Sequence, residues 1–159
     1  MNFVIATEAN PFIAELPDFK EVLMQVAPPH LIYKNFYIYI EQKDADEAIG
    51  LLREADLLES THLLVKTEGS PGEDFFDYGF HVDGATCLFA DELSAFRFLD
   101  GNGLQMEMAL IQLEEHLIFK AANGIYFAAN HYTELIMGIV KAYGVKVEFL
   151  DLDKWCKKI

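Results

Sequence analysis

The stretch from Phe36 to Thr67 reads FYIYIEQKDADEAIGLLREADLLESTHLLVKT and carries the signals of a strand, a helix and a second strand. Its first five residues are aromatic or β-branched, which is the composition that a pleated sheet accepts best. Asp44 can cap a helix while Glu47 reaches back to it, a variant of the capping box. An apolar stripe at helical spacing follows, formed by Ala48, Leu51, Leu52, Ala55 and Leu58. With a strand predicted at His62–Lys66, the stretch predicts a βαβ unit, whose crossover is nearly always right-handed.

Side chains of the first predicted strand should alternate between the two faces of a sheet, because successive residues of a strand point in opposite directions. We expect Phe36, Ile38 and Ile40 to lie on the face that joins the core. Tyr37 and Tyr39 are expected to share the other face. Exposure of Ile38 to solvent would contradict this assignment.

Before the βαβ stretch, the sequence predicts one strand and a helical region. The apolar run Phe3–Ala6 is typical of a short strand. Asn10-Pro11 and Pro17-Asp18 are typical helix starts, since proline is tolerated in a first turn. The second of these helices has an apolar stripe formed by Leu16, Phe19, Val22, Leu23 and Val26. Pro28-Pro29 then ends the helix.

After the βαβ stretch, the sequence predicts a hairpin and then a short helix. The residues 70–72 are predicted to be a loop, and 76–82 alternate apolar with polar side chains as a strand does. Asp83-Gly84 is a strong hairpin signal, with Ala85–Phe89 as the return strand. Asp91 is predicted to cap a short helix that ends at 100–103 and contains Leu93, Phe96 and Leu99.

The last third of the chain is ambiguous between helix and strand over residues 104–129. A helix through about Glu115, followed by a hairpin around Asn123-Gly124, is the interpretation we adopt. A helix over Tyr132–Tyr143 would be closed by Gly144, a natural left-handed cap. The final strand is predicted at Val145–Leu150.

These elements together predict the fold class. We expect an α+β fold, with mixed α/β as the alternative, built as one mixed and mostly antiparallel sheet with helices packed against it. A chain of 159 residues fits one domain, so a single domain over residues 1–159 is predicted. Apolar residues make up 52% of the sequence, which is ample for a core and excludes the disordered class.

The overall charge limits the kinds of partner that the protein can have. Twenty-six acidic and 12 basic residues give a formal net charge of −14. This charge repels nucleic-acid phosphates and anionic membrane surfaces, so we expect neither as a partner. Glu, Asp or Lys interrupts every apolar stretch, and the N-terminus lacks a basic leader, so a cytoplasmic location is predicted. The sequence leaves the oligomeric state open.

The negative charge is concentrated in one part of the chain. Between Glu68 and Glu115 there are eleven acidic residues, while Arg97 is the only basic one, so this third carries ten of the fourteen net charges. Four aromatic residues are interleaved with these acids, namely Phe75, Phe76, Tyr78 and Phe80. We predict a non-catalytic protein of the inhibitor or immunity type that binds a basic protein partner. The predicted binding residues are Glu73, Asp74, Asp77, Tyr78, Asp83, Asp91 and Glu92. The alternative is that the acids form a solvated face and the aromatics belong to the core.

A second function class is a small enzyme or small-molecule-binding protein with a pocket near the 75–90 hairpin. Its residues would be His81, Asp77 or His131. His81, Asp83 and His131 also imitate the two-histidine, one-carboxylate set of non-haem iron sites. Each of these side chains is better explained individually, Asp83 by the Asp-Gly turn. We therefore expect no metal and no cofactor.

The remaining motifs give no catalytic signature. Cys87 lies in an apolar run and is expected to be a buried packing residue. Cys156 stands among lysines near the chain end. Gly101-Asn102-Gly103 lacks the third glycine of a dinucleotide loop. The adjacent acid pairs do not provide the two carboxylates across a cleft that a glycosidase needs. Enzymatic activity is left open, with no activity as the favoured interpretation.

Overall fold

A computed structural model describes residues 1–99 and 101–157, with side chains through Lys154. Asp100 and Lys158, counted above among the charged residues, lie outside the described residues. Within them, the helices are α1 (Pro17–Val26), α2 (Gln42–Glu54), α3 (Gly103–Leu113), α4 (Thr133–Ala142) and α5 (Leu152–Lys157). The strands are β1 (Asn2–Ala9), β2 (Leu31–Tyr33), β3 (Phe36–Tyr39), β4 (Leu58–Thr67), β5 (Gly69–Pro71), β6 (Gly79–Val82), β7 (Ala85–Phe89), β8 (Leu93–Phe98), β9 (Leu117–Ala121), β10 (Tyr126–Ala129) and β11 (Val147–Leu150).

The α+β class and the antiparallel pairing are confirmed, but the strands form two sheets rather than one. The first sheet has the order β2-β3-β1-β4-β7-β6, and the second has the order β11-β8-β10-β9-β5. The chain divides into two compact units. One contains Asn2–Lys66 and His81–Cys87, and the other contains Thr67–Phe80 and the chain from Leu88 onward. A single cooperative domain over residues 1–159 stays a prediction.

Strand β1 organises the first unit because it is paired on both sides. It runs antiparallel to β3, with Ile5 opposite Tyr39, and antiparallel to β4, with Asn2 opposite Lys66. Strands β3 and β4 are therefore parallel to each other and are connected through α2. The βαβ connection predicted from the sequence is present, but β1 is inserted between its two strands.

The core of the first unit lies where α1 and α2 pack on the sheet. Leu23 of α1 and Leu52 of α2 meet Tyr37 and Tyr39 there, and all four side chains are buried. Tyr37 and Tyr39 do share a face, as predicted, and Ile38 is buried. The prediction that the core lies on the Phe36, Ile38 and Ile40 face alone is wrong, since the tyrosines are buried too and Ile40 is exposed beyond the strand.

Two predicted helix features of this unit differ in the structure. Helix α2 begins at Gln42, with Glu41 as N-cap and no side-chain capping bond, so the predicted capping box of Asp44 and Glu47 does not form. The helix starts two residues before Asp44, and the exposed Gln42 donates from Nε2 to Asp46 at 2.8 Å in its first turn. On α1, Val22 and Val26 are exposed although they follow the apolar spacing.

The second unit repeats the arrangement of helices on a sheet. Helices α3 and α4 pack through Ala109, Leu113, Ile136 and Val140 on a cluster that includes Phe96 of β8. The helix predicted at 104–115, the hairpin around Asn123-Gly124 and the helix ending near Gly144 are confirmed. Gly144 has a positive φ of 68°, which is the left-handed conformation that a glycine cap provides.

Three predicted elements of residues 70–99 are wrong or changed. The predicted loop at 70–72 contains the short strand β5, and the first part of the predicted strand 76–82 is a 3₁₀ turn over Phe75–Asp77. The helix predicted after Asp91 is strand β8, which lies between β10 and β11. The spacing of its apolar residues also fits a helix. The segment is a strand because its backbone pairs with β10 on one side and β11 on the other. The Asp83-Gly84 turn is confirmed, with φ of 47° and 78°.

We expect Tyr39→Phe to destabilise the protein by about 1–3 kcal/mol, because it leaves a buried acceptor without its donor. The Tyr39 hydroxyl donates to the carbonyl oxygen of Ala27 at 2.9 Å in the core. Tyr143→Phe is the matched control, since the Tyr143 hydroxyl makes a long 3.4 Å bond to Gln112 near solvent. Urea unfolding of both variants measures the difference. Equal losses would contradict the assigned role of the Tyr39 bond.

Candidate partner-binding surface

The most acidic segment begins at β5, which is attached to β9 by its backbone. Ser70 lies opposite Lys120, and the amide of Gly72 donates to Ile118 at 2.8 Å. A Cβ on Gly69 would overlap the carbonyl oxygen of Lys120, and a Cβ on Gly72 would overlap that of Leu117. Only glycine permits this approach. The two glycines thus fix where the following residues leave the sheet.

The residues that follow form a turn with one aromatic ring buried and the next one exposed. Phe75 is fully buried, with its ring centroid 5.8 Å from that of Phe119. Phe76 is 74% exposed and its centroid lies 5.1 Å from that of Phe75. The turn is closed by the amide of Tyr78, which donates to the carbonyl of Phe75 at 2.9 Å. Phe75 therefore anchors the turn, while Phe76 is presented to solvent.

Acidic residues flank the exposed ring along the chain. Glu73, Asp74 and Asp77 are all exposed, and all lie within three residues of Phe76. Tyr78 is half-buried. We call residues 73–77 the acidic turn. It combines exposure and an aromatic side chain, which favour a partner-binding patch, with a uniform charge that steers association.

Asp83, Asp91 and Glu92 are exposed as well and lie on other elements than the acidic turn. Asp83 is at the tip of the β6–β7 hairpin and belongs to the other unit. Asp91 and Glu92 lie on the 3₁₀ turn Ala90–Glu92. Asp91 lines a separate cavity of about 370 Å³ whose acidic members are Asp91, Asp151 and Asp153.

A cleft beside the acidic turn was missed by sequence reasoning. It has a volume of about 740 Å³ and is lined by Ser70, Pro71, Gly72, Glu73, Ile111, Gln112, Glu114, Glu115, Leu117 and Lys120. Glu73 belongs both to the cleft and to the acidic turn. Lys120 donates to Glu114 at 2.9 Å, and this hydrogen bond lowers the pKa of the Glu114 carboxyl. The cleft depends on the β5–β9 pairing, which no local pattern in the sequence reveals.

The charge of the region is carried by exposed groups. All ten described acids between Glu68 and Glu115 are exposed, while Asp100 lies outside the described residues. Arg97, the one base there, pairs with Glu148 on the neighbouring strand at 2.7 Å. Arg97 therefore neutralises none of the acids between Glu68 and Glu115, of which Glu114 is paired with Lys120.

The residues of the alternative function lie on different elements of the chain, and each has its own neighbours. Nδ1 of His81 lies 3.0 Å from the hydroxyl oxygen of Thr86 across the hairpin, and the ring of His131 contacts that of Tyr132 with centroids 4.2 Å apart and planes tilted by 43°. Asp83 takes the positive φ that its turn requires. In residues 1–99 and 101–157, no three His, Cys, Asp or Glu side chains are grouped as metal ligands. The 740 Å³ cleft is lined by Glu73 but by none of His81, Asp77 and His131.

Cys87 is fully buried, as its apolar surroundings predicted. Burial raises the pKa of its thiol to about 11. The thiolate that a nucleophile needs is therefore scarce at neutral pH. The side chain of Cys156 lies outside the described residues.

A serine, a histidine and a glutamate meet on the first sheet, and sequence reasoning missed them. Ser60 Oγ donates to Glu8 Oε2 at 2.6 Å and lies 2.7 Å from His62 Nε2, which is itself 3.1 Å from the same carboxylate oxygen. A catalytic triad would place the carboxylate on Nδ1 and the hydroxyl on Nε2. Here one oxygen contacts both groups, so the cluster joins β1 to β4. It depends on the register that sets Glu8 opposite Ser60.

Comparison with protein-family models, curated proteins and solved structures found no significant match to this chain. Within the described part of the chain, no helix combines the length and apolarity that crossing a bilayer requires.

Gly72→Ala is expected to destabilise the second unit by about 1–3 kcal/mol, the usual cost of overpacking, and to displace the acidic turn. Its Cβ would collide with the backbone oxygen of Leu117, which cannot rotate away. Gly50→Ala is the matched control, because that glycine lies within α2 with open space around its Cβ. Alanine there should stabilise by up to about 1 kcal/mol. Denaturant unfolding distinguishes the two, and a neutral Gly72→Ala would contradict the close approach.

Glu8→Gln is expected to reduce the free energy of unfolding at pH 7 by less than about 1 kcal/mol, since Glu8 is 35% exposed and partly screened. The hydrogen bond from Ser60 is the largest cause that lowers the pKa of Glu8 below 4.5. A depressed carboxyl pKa stabilises the fold above the unfolded value, and this stabilisation is lost as the pH falls through the folded pKa. The difference between wild type and Glu8→Gln should therefore shrink below about pH 4.5.

The control for this prediction is the same substitution in a Ser60→Ala background. Without the serine hydroxyl, the difference caused by Glu8→Gln should be smaller and should change less with pH. Urea unfolding between pH 3 and pH 7 provides the measurement. A pH-independent difference in the wild-type background would show that the cluster does not lower the Glu8 pKa.

Proposed function

We propose that the protein is a non-catalytic binding module that engages a basic protein partner through the acidic turn, in the manner of an inhibitor or immunity protein. The observation that carries the proposal is Phe76, a phenylalanine that is 74% exposed between exposed carboxylates on a fixed turn. The ring contacts Phe75 with centroids 5.1 Å apart and still leaves most of its apolar surface open to a partner. At a protein interface the same ring supplies an anchor.

Charge and ring would have separate roles in this interaction. The carboxylates of Glu73, Asp74 and Asp77 would attract a basic surface from a distance and raise the association rate. Phe76 would then be buried in the complex and slow dissociation. An inhibitor works in this way when the basic surface that it covers is an active site. The overall charge of −14 would also attract a basic partner.

The location and the remaining partners follow the same reasoning. A cytoplasmic setting and the absence of nucleic-acid and membrane partners remain expectations based on the acidic composition. Asp83, Asp91 and Glu92 would add long-range attraction without belonging to the contact itself. Tyr78 would support the turn from its half-buried position.

A second candidate function is the binding of a small cationic molecule in the cleft beside the turn. Its volume of about 740 Å³ is within the range of small-molecule sites. Three carboxylates, those of Glu73, Glu114 and Glu115, line it against one lysine. Calorimetry with spermidine as the probe tests this candidate, and saturable binding that Glu115→Gln weakens would favour it over the protein partner.

The test of the leading proposal compares two charge-matched variants. The first carries Glu73→Gln, Asp74→Asn and Asp77→Asn in the acidic turn, and the second carries Asp18→Asn, Glu21→Gln and Glu47→Gln on α1 and α2. Each changes the net charge from −14 to −11, since three acids are neutralised. Both should fold. The acidic-turn variant should have an unchanged or slightly raised melting temperature, because each exposed like-charge contact costs only a few tenths of a kcal/mol. The α1/α2 variant loses a similarly small helix-dipole contribution from Asp18 in the first turn of α1.

Capture from a lysate of the native host, at low and at high salt, provides the first readout. Wild type and the α1/α2 variant should retain the same salt-sensitive basic protein, and the acidic-turn variant should lose it. With that protein purified, the acidic-turn variant should associate more slowly, whereas Phe76→Ala should mainly speed dissociation. If both variants captured the basic protein equally, the acidic turn would be a solvent-exposed surface with no role in binding.

A further inference from the structure

Helix α3 is apolar on two opposite sides. Ala109 and Leu113 are fully buried against the second sheet. Leu104, Met108 and Ile111 have the spacing i, i+4, i+7 and are 63%, 43% and 74% exposed. We call these three residues the outer stripe. A helix at the surface of a domain normally carries polar residues on its outer side, so this stripe needs a physical explanation.

The outer stripe is not diluted by charge along the helix. Within Gly103–Leu113, Glu107 is the only charged residue. Apolar side chains scattered singly over a surface need no explanation, but three on one helix face form a contiguous patch. Such a patch, rimmed by polar groups, is a common feature of surfaces that bind another helix.

The rim of the outer stripe is acidic. Ile111, the last residue of the stripe, lines the same cleft as Glu73, Glu114 and Glu115. Glu107 is exposed on the helix itself. The outer stripe thus leads directly into the cleft, and the cleft leads through Glu73 to the acidic turn. An apolar strip with acidic borders is complementary to an apolar strip with basic borders.

Charge complementarity distinguishes the two possible binding partners of the outer stripe, a second copy of this chain and a cationic helix. A second copy would bring the same acidic rim and a net charge of −14, so its approach would be repelled. A cationic amphipathic helix has an apolar face for the stripe and Lys or Arg side chains for the carboxylates on its borders. From Leu104 to Ile111 the stripe spans two turns, about 10 Å, which suits a partner helix of three or four turns.

We infer that the outer stripe and the adjoining cleft bind a cationic amphipathic helix of the partner. This rests on the proposed function and names the element of the basic protein that is recognised. Ile111 and Leu104 are the apolar anchors of the site. Glu73 and Glu115 receive the basic side chains that flank the apolar face of the partner helix, while Glu114 is already bonded to Lys120.

The test uses a synthetic 18-residue peptide of leucine and lysine patterned as an amphipathic helix, together with a scrambled peptide of the same composition. Fluorescence anisotropy at low and moderate salt measures binding to the wild-type protein. The patterned peptide should bind at least tenfold more tightly than the scrambled one. Ile111→Gln and Leu104→Gln should each weaken it by about tenfold, the effect of losing one buried aliphatic side chain.

Met137→Gln is the matched control. Met137 is 54% exposed on α4 and lines a different groove, beside Lys141 and Lys146, where a cationic helix is repelled. Its substitution should leave the affinity unchanged. Because Leu104, Ile111 and Met137 are all exposed, circular dichroism should show native folding in each of these three variants. Met108→Leu keeps an apolar side chain in the outer stripe and should retain wild-type affinity.

Three results would overturn the inference. The first is equal binding of the patterned and scrambled peptides, which would reduce the interaction to charge alone. The second is self-association of the protein that Ile111→Gln abolishes, which would make a second copy the occupant. The third is wild-type capture of the lysate partner by Ile111→Gln while the acidic-turn variant loses it. In that case the proposed function stands and the helix site fails.

Discussion

The first sheet depends on a strand whose backbone is hydrogen-bonded on both edges. Strand β1 pairs with β3 on one side and with β4 on the other, and its Val4, Ala6 and Thr7 are buried. A buried amide or carbonyl group without a hydrogen-bond partner is costly. Loss of β3 or β4 would therefore leave backbone groups of β1 either unpaired or exposed to water. The α2 crossover carries the chain from β3 to the opposite edge of β1, where β4 pairs. Because α2 crosses the sheet, its apolar side chains become part of the core.

The acidic turn depends on a second backbone constraint, the close approach of β5 to β9. Gly69 and Gly72 allow it, and Phe75 locks the chain that follows beside Phe119. The result is a rigid support for Phe76 and its neighbouring carboxylates. Rigidity matters for an interface because a side chain that is already ordered loses less entropy on binding. The proposed surface thereby combines steering charge with a preorganised anchor.

Local signals explain which parts of this structure the sequence could predict. Asp83-Gly84 and Asn123-Gly124 determine their turns through their own conformational preferences, so both hairpins were predicted correctly. Leu93, Phe96 and Leu99 fit a helical period, yet pairing with β10 and β11 makes their segment a strand. The exposure of the acids follows from their charge. The cleft and the exposure of Phe76 rather than Phe75 depend on strand pairing, which lies outside any local pattern.

The position of Pro71 has a consequence for how the protein resists aggregation. Strand β5 is the outermost strand of the second sheet, and Glu68 and Gly72 direct their backbone groups towards β9. In an antiparallel pair, successive residues direct their backbone groups to opposite sides of the strand. The backbone groups of Gly69 and Pro71 therefore point away from β9 and form the outer edge. Proline has no amide hydrogen to offer, and the strand is only three residues long. A foreign strand therefore finds a poor template at this edge of the sheet.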